Sequence, residues 1–396
     1  MNRRILALLL ALVMVAGLMT GCASGKQETA APETAQTESP AAEETTAEPE
    51  QTEESPAEEE APAEPETVSF TDSLGRTVEL PADITRIAPS GAVATMLLAA
   101  IAPECMVTIN TAPSESQMDF LPANLAALPE TGQMYGSKAN LNLETLLAAD
   151  PQVVIDLGDK KGDMTEDLDA LQAQIGIPVV FIEADLAHMA AAFRTLGGLL
   201  SGKADRGEEL AALVDRTTAI AEENAAKITD DMRVCAMYTT GEDGLGTNAA
   251  GSVQAQVLDM VGVENAVVVE DVSSKGGGNI ISLEQLYNFD PDVILFSDGS
   301  IYSTVTDDSA WSQLTAISTG KYYEVPGSPY SWLSGPPSMN MILGVWWLGN
   351  LIYPEIYDYD METMTQELYK TLWGYELSSE EVTALLGNST LKAAAQ

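Results

Sequence analysis

Asn142-Leu143-Glu144-Thr145-Leu146, then Asp150-Pro151-Gln152-Val153-Val154-Ile155, is echoed by Ser282-Leu283-Glu284-Gln285-Leu286, then Asp290-Pro291-Asp292-Val293-Ile294-Leu295. Each copy reads as a capped short helix with a glutamate in its first turn, followed by a proline that breaks the chain before a buried strand. The echo predicts two lobes of similar design. Around the first copy, β-branched runs at 84–88, 106–109, 152–156 and 179–182 alternate with helical stretches at 93–101 and 143–149. Around the second, candidate strands at 233–238, 267–270, 293–296 and 322–325 alternate with helices at 252–261, 283–288 and 338–351. Such alternation is the mark of mainly parallel sheets covered by helices, so the fold class is α/β with two lobes.

Between the two sets, residues 188–228 carry apolar positions at helical spacing, interrupted at Gly197-Gly198 and Ser201-Gly202. Asp205, with Glu208 three residues on, looks like a helix N-cap, and a helix from there to Ile228 would run about 36 Å. That predicts a stiff connector. The expected organisation is an N-terminal lobe at 67–187, the connector at 188–228 and a C-terminal lobe at 229–396.

The first 66 residues read as an address. Arg3-Arg4 precedes an apolar run from Ile5 to Leu18, shorter than the roughly 20 residues of a spanning helix. The run ends in Leu18-Met19-Thr20-Gly21-Cys22, which resembles the lipobox of bacterial lipoproteins and implies a signal peptide at 1–22 with Cys22 lipidated. Residues 23–66 are almost wholly Ala, Glu, Pro, Thr, Ser and Gln, and such a composition predicts a disordered, extended tether. The expected location is the outer face of a bacterial cell membrane, held by lipid.

Sixty acidic side chains against 18 basic ones give a formal charge of −42, which opposes a sequence-independent grip on phosphates and excludes nucleic acid as a partner. One histidine and three cysteines are too few for a closed zinc site or an iron–sulfur cluster, so no resident metal or cofactor is expected. His188 reads as a structural histidine. Cys105 and Cys235 are expected as buried free thiols, with a bridge between the lobes as the alternative.

Val68-Ser69-Phe70-Thr71-Asp72-Ser73-Leu74-Gly75-Arg76-Thr77-Val78-Glu79-Leu80-Pro81, followed by Thr85-Arg86-Ile87-Ala88-Pro89, resembles the opening of substrate-binding proteins of bacterial ABC importers for ferric siderophores, haem and cobalamin. The resemblance continues through both Leu-Glu and Asp-Pro repeats to the 353–386 tail. It implies two Rossmann-like lobes bridged by one long helix, with a ligand cleft between them and little hinging. It also implies that Glu144 and Glu284 engage arginines of the importer's permease subunits. The plain alternative is a first-turn carboxylate that favours the helix dipole.

Ligands of open α/β sheets sit beyond the carboxyl ends of the strands. The candidate ligand residues in those loops are Ser90, Tyr135, Lys138, Lys160, Lys161, Tyr238, Lys275, Tyr330 and Trp332. The aromatics could stack on a large planar or chelated ligand, and the lysines would suit an anionic one. Trp346 and Trp347, inside an apolar helix, are expected in the core. No Gly-x-Ser-x-Gly or His-Glu-x-x-His occurs, so an enzyme is not signalled. The reading is a monomeric, lipid-anchored receptor that delivers a small metal chelate, a ferric siderophore first, to an ABC permease. Cobalamin, haem and a molybdate-type oxyanion are the alternative ligands. A surface hydrolase or adhesin is the alternative of a different class.

Overall fold

The computed structural model describes residues 66–390 apart from 137–138, 163 and 274–277. The chain divides into Met1–Ala61 and Pro62–Gln396, and the described residues belong to the second unit. Cys22, the signal segment and the tether up to residue 65 lie outside them, as do Lys138 and Lys275.

The described chain opens with an antiparallel hairpin, β1 (Thr67–Thr71) and β2 (Thr77–Pro81). Asp72 builds its turn: Oδ1 accepts from the amides of Leu74 and Arg76, and Oδ2 lies 2.9 Å from Arg76 Nη1. Oδ2 also accepts from the Phe181 amide, which pins the hairpin to the first lobe.

That lobe contains β3 (Ile87–Pro89), α1 (Ala92–Ile101), α2 (Glu115–Met118), α3 (Leu143–Ala148), β4 (Val153–Gly158), α4 (Met164–Ile175) and β5 (Val179–Glu183). The three strands form a parallel sheet in the order β3-β4-β5, with Ala88 opposite Val154 and Ile155 opposite Val180. Side chains alternate across β4. Val153, Ile155 and Leu157 join the large core, whereas Val154 packs with Ala88, Phe181 and the apolar face of α4. Burial on both faces is why β4 reads as a continuous apolar run.

Two helices, α5 (Met189–Leu199) and α6 (Ala204–Ala225), leave the lobe as a close pair. Their contact depends on Gly197 and Gly207: a Cβ on Gly207 would lie 2.6 Å from the Phe193 carbonyl oxygen and 2.7 Å from Gly197 Cα. The expected connector is present as α6, about 33 Å long for its 22 residues. It begins after Lys203, so Asp205 is a first-turn residue rather than the N-cap. Arg206 donates to the carbonyls of Ala100 and Thr371, and Trp346 Nε1 donates to Thr217 Oγ1 at 2.9 Å. Helix α6 is thereby tied to elements on both sides and cannot swivel freely.

The second lobe contains β6 (Cys235–Thr240), β7 (Gly246–Thr247), α7 (Gln256–Met260), β8 (Glu264–Asn265), β9 (Asn279–Ile280), α8 (Leu283–Phe289), β10 (Val293–Phe296), α9 (Thr315–Ser318) and β11 (Tyr322–Glu324). Its sheet runs β11-β10-β6-β7-β9, with β8 beside β6; the pairs made by β7 are antiparallel and the others parallel. The strand expected at 267–270 does not form. Pairing occurs earlier, at β8, where the Asn265 side chain donates to the Asn248 carbonyl and accepts from the Val267 amide, turning the chain out of the sheet.

The repeat is structural as well as sequential. Asp150 and Asp290 are the non-glycine residues with positive φ among the described residues, at 51° and 29°. Two residues on, Gln152 Oε1 accepts from the Arg86 amide at 2.9 Å and Asp292 Oδ2 accepts from the Cys235 amide at 3.0 Å. Each Asp-Pro unit therefore fastens its own strand to its parallel neighbour in the sheet. Helices α10 (Asn340–Ile352), α11 (Met361–Trp373) and α12 (Ser379–Leu386) complete the fold, with Trp346 and Trp347 in the core as expected. No helix among the described residues is long and apolar enough to cross a membrane.

Candidate functional site

The carboxyl ends of the parallel strands carry the chemistry. At the end of β3, Ser90 donates its amide to the Ile155 carbonyl and its carbonyl accepts from the Met134 amide, drawing the 132–136 loop over the strand ends. The Ser90 hydroxyl donates to Asp156 Oδ1 on β4. Asp156 is 5% exposed, and its Oδ2 is enclosed without a partner. Loss of hydration pushes its pKa up to about 6, against the Ser90 hydrogen bond and the positive charge of Lys161. Tyr135 lies close by with its hydroxyl also enclosed and unpartnered; burial first, then the Asp156 charge, pushes its pKa upward. Lys161 covers the Tyr135 ring at 5.5 Å and pairs with Asp159 at 3.5 Å.

Three of the expected ligand residues, Ser90, Tyr135 and Lys161, thus gather around a carboxylate that sequence reading passed over. The available signal was an aspartate interrupting the buried run Val153-Val154-Ile155. Lys160 is exposed and stands apart from this cluster.

On the second lobe, Tyr238 is buried on β6 with its hydroxyl 3.2 Å from Ser331 Oγ, and burial raises its pKa to about 12. Tyr330 remains partly exposed, with its pKa also raised to about 12 by loss of hydration. Trp332 corrects an expectation. Expected among the ligand contacts, it is 0% exposed. Its amide donates to the Pro326 carbonyl, its indole N–H donates to the Ser328 carbonyl, and Gly344 of α10 packs against its backbone. The indole therefore serves the core in this conformation, and Tyr330 is the aromatic of that loop with surface to offer.

The lobes meet where Gln117 Nε2 donates to the Pro329 carbonyl at 2.9 Å. Beside this bridge lies a cavity of about 390 Å³, walled by Asp119 and Phe120 of the first lobe and by Asp298, Glu324 and Glu381 of the second. Glu381 accepts from the Tyr375 hydroxyl, which holds its pKa below the usual carboxylate range. Four carboxylates on one cavity make a negative wall. Asp298 lies just beyond the carboxyl end of β10, where ligands of such sheets sit; the contribution of α12 left no signal, because nothing in its pattern separates it from an ordinary surface helix.

Glu144 and Glu284 are exposed on α3 and α8, one on each lobe. The caps of these helices come from other residues, Asn142 and Ser282. His188 is exposed with Nδ1 2.6 Å from Asp185, whose hydrogen bond raises its pKa. Cys105 and Cys235 are free thiols. Among the described residues no group of three or more His, Cys, Asp or Glu side chains could hold a metal ion.

A family model described as periplasmic binding protein matches residues 90–329. No curated protein matches the chain. Among solved structures, an ABC transporter solute binding protein from Sulfurospirillum deleyianum is 28% identical, with a TM-score of 0.74, covering 81% of this chain and 99% of its own. A periplasmic solute binding protein from Veillonella parvula is 24% identical, with a TM-score of 0.67 over 82% of this chain and 98% of its own. The molybdate periplasmic binding protein of Haemophilus influenzae, at 21% identity, has a TM-score of 0.63 over 78% of this chain and 99% of its own.

Proposed function

Since this chain belongs to the periplasmic binding protein family, we propose that it is the lipid-anchored receptor of an ABC importer, capturing a small metal chelate outside the membrane and passing it to the permease. The observation that carries the reading is a cavity walled from both lobes beside the carboxyl ends of the parallel strands. The receptor binds its cargo without changing it. Cys22 holds it to the membrane, and Glu144 and Glu284 present one carboxylate from each lobe to the permease.

Ferric siderophores lead as ligands, and the acid-lined cavity narrows the class. A trianionic ferric catecholate would be repelled by Asp119, Asp298, Glu324 and Glu381, whereas a cationic ferric trihydroxamate would meet complementary charge and a neutral one no repulsion. On the first lobe, the half-buried Tyr135 and the exposed Lys161 offer further groups to the cargo. Tyr330 supplies an aromatic face.

The test is mass spectrometry of the intact protein, prepared under native conditions from the producing cell. One iron-containing ligand of neutral or positive charge, released unchanged on denaturation, is the expected result. Cobalamin, haem or an oxyanion in its place would replace the ligand class. An adduct that the purified protein consumes would refute the receptor reading.

A further inference from the structure

We infer that each glutamate docking point carries an apolar partner three residues further on, Leu147 on the first lobe and Tyr287 on the second, and that these side chains form the holding part of the contact with the permease. The inference rests on the receptor reading above.

Leu147 is 46% exposed and Tyr287 is 40% exposed, an unusual placement for side chains of this size. They occupy matching positions of the repeat, Glu144-Thr145-Leu146-Leu147 and Glu284-Gln285-Leu286-Tyr287. In both copies the third residue, Leu146 or Leu286, is fully buried and anchors the helix. Residues three apart share a helix face, so each lobe turns one carboxylate and one large apolar group toward the same neighbour. Tyr287 is also held in place, since its hydroxyl donates to the Ala310 carbonyl at 2.8 Å. The second lobe extends the apolar surface further: Leu283 is 42% exposed and Ile280 78% exposed. Their counterparts in the first copy are the half-buried Leu143 and the polar Asn140.

Charge selects the occupant. A second copy of this chain would bring like-charged glutamates together, and a chain of net charge −42 is repelled by an anionic bilayer surface. The surface fits a partner that offers a cation beside an apolar pocket, twice, as two permease subunits can. The glutamates then govern encounter, salt dependence and part of the residence time, and the apolar pair acts on dissociation alone. The richer surface of the second lobe makes its half of the contact the longer-lived one.

The test places a photoreactive phenylalanine analogue at positions 144, 147, 284 or 287 of the full chain in the producing cell, with the exposed Met232 as control site. Adducts with a membrane-spanning permease subunit are expected at all four positions and not at 232. Adducts at 144 and 284 without adducts at 147 and 287 would overturn the inference and leave the receptor reading standing. Absence at all four positions would overturn both, and so would adducts with a second copy or with lipid alone. With the permease so identified held in nanodiscs, Leu147→Ser and Tyr287→Ser should each speed dissociation about tenfold, a loss of about 1.4 kcal/mol, with unchanged salt dependence. A changed salt dependence with unaltered dissociation would contradict the assignment.

Discussion

Replacing Glu144 and Glu284 together by glutamine should reduce uptake to background while leaving ligand affinity and melting temperature almost unchanged. Both carboxylates are exposed, one per lobe, and neither takes part in an ion pair among the described residues. Their helices are capped by Asn142 and Ser282, so the fold loses only the dipole contribution of each, about 0.3–1 kcal/mol at most. Across an interface the accounting differs. Truncating one partner of a desolvated, hydrogen-bonded charge pair costs about 2–5 kcal/mol, or at least about thirtyfold for each single variant. Uptake of radiolabelled iron chelate by cells carrying each variant, beside titration of the purified chains, separates the two roles. Normal uptake with a lowered melting temperature would mean that the glutamates serve only their own helices.

The second large effect concerns Asp156. In the unfolded chain its carboxyl titrates near the ordinary 3.8, and in the folded protein near about 6. Below about pH 3 the group is protonated in both states and imposes no penalty. As pH rises through the interval between the two values, the folded state must ionise a carboxyl stripped of water, and the wild-type protein loses on the order of 3 kcal/mol. Above about pH 7 the loss is complete. Asp156→Asn keeps an oxygen for the Ser90 hydroxyl and removes the charge, so its stability advantage should grow from near zero at about pH 3 to this value at about pH 7. Urea unfolding of both chains across that range measures the difference directly. Parallel curves would show that the carboxylate is solvated in the folded protein.

The repeat made the lobes legible because a capped helix, a chain-breaking proline and a buried strand leave separate marks in sequence. Leu143–Ala148 and Val293–Phe296 form where those marks fall. The first strand begins later than the β-branched run at 84–88 implies: Ile84 is buried, but pairing with β4 starts only at Ile87. Asp205 looked like a cap because residue type alone cannot show that the turn before it had already closed at Lys203. The site was less legible. Trp332 sits in a loop-like sequence and is drawn into the core by Gly344, which lies in another element and lets α10 approach its carbonyl. The acid-lined cavity joins residues from α12, β11 and the 116–120 segment, and only tertiary packing puts them together.

The receptor account stands most directly on calorimetric titration of the full chain with a cationic ferric trihydroxamate, run beside a trianionic ferric tris-catecholate and molybdate. It predicts saturable one-to-one binding of the hydroxamate complex, weaker or absent binding of the two anions, and recovery of the chelate intact. Hydrolysis of the chelate, or indifference to all three together with an empty protein from the producing cell, would contradict it.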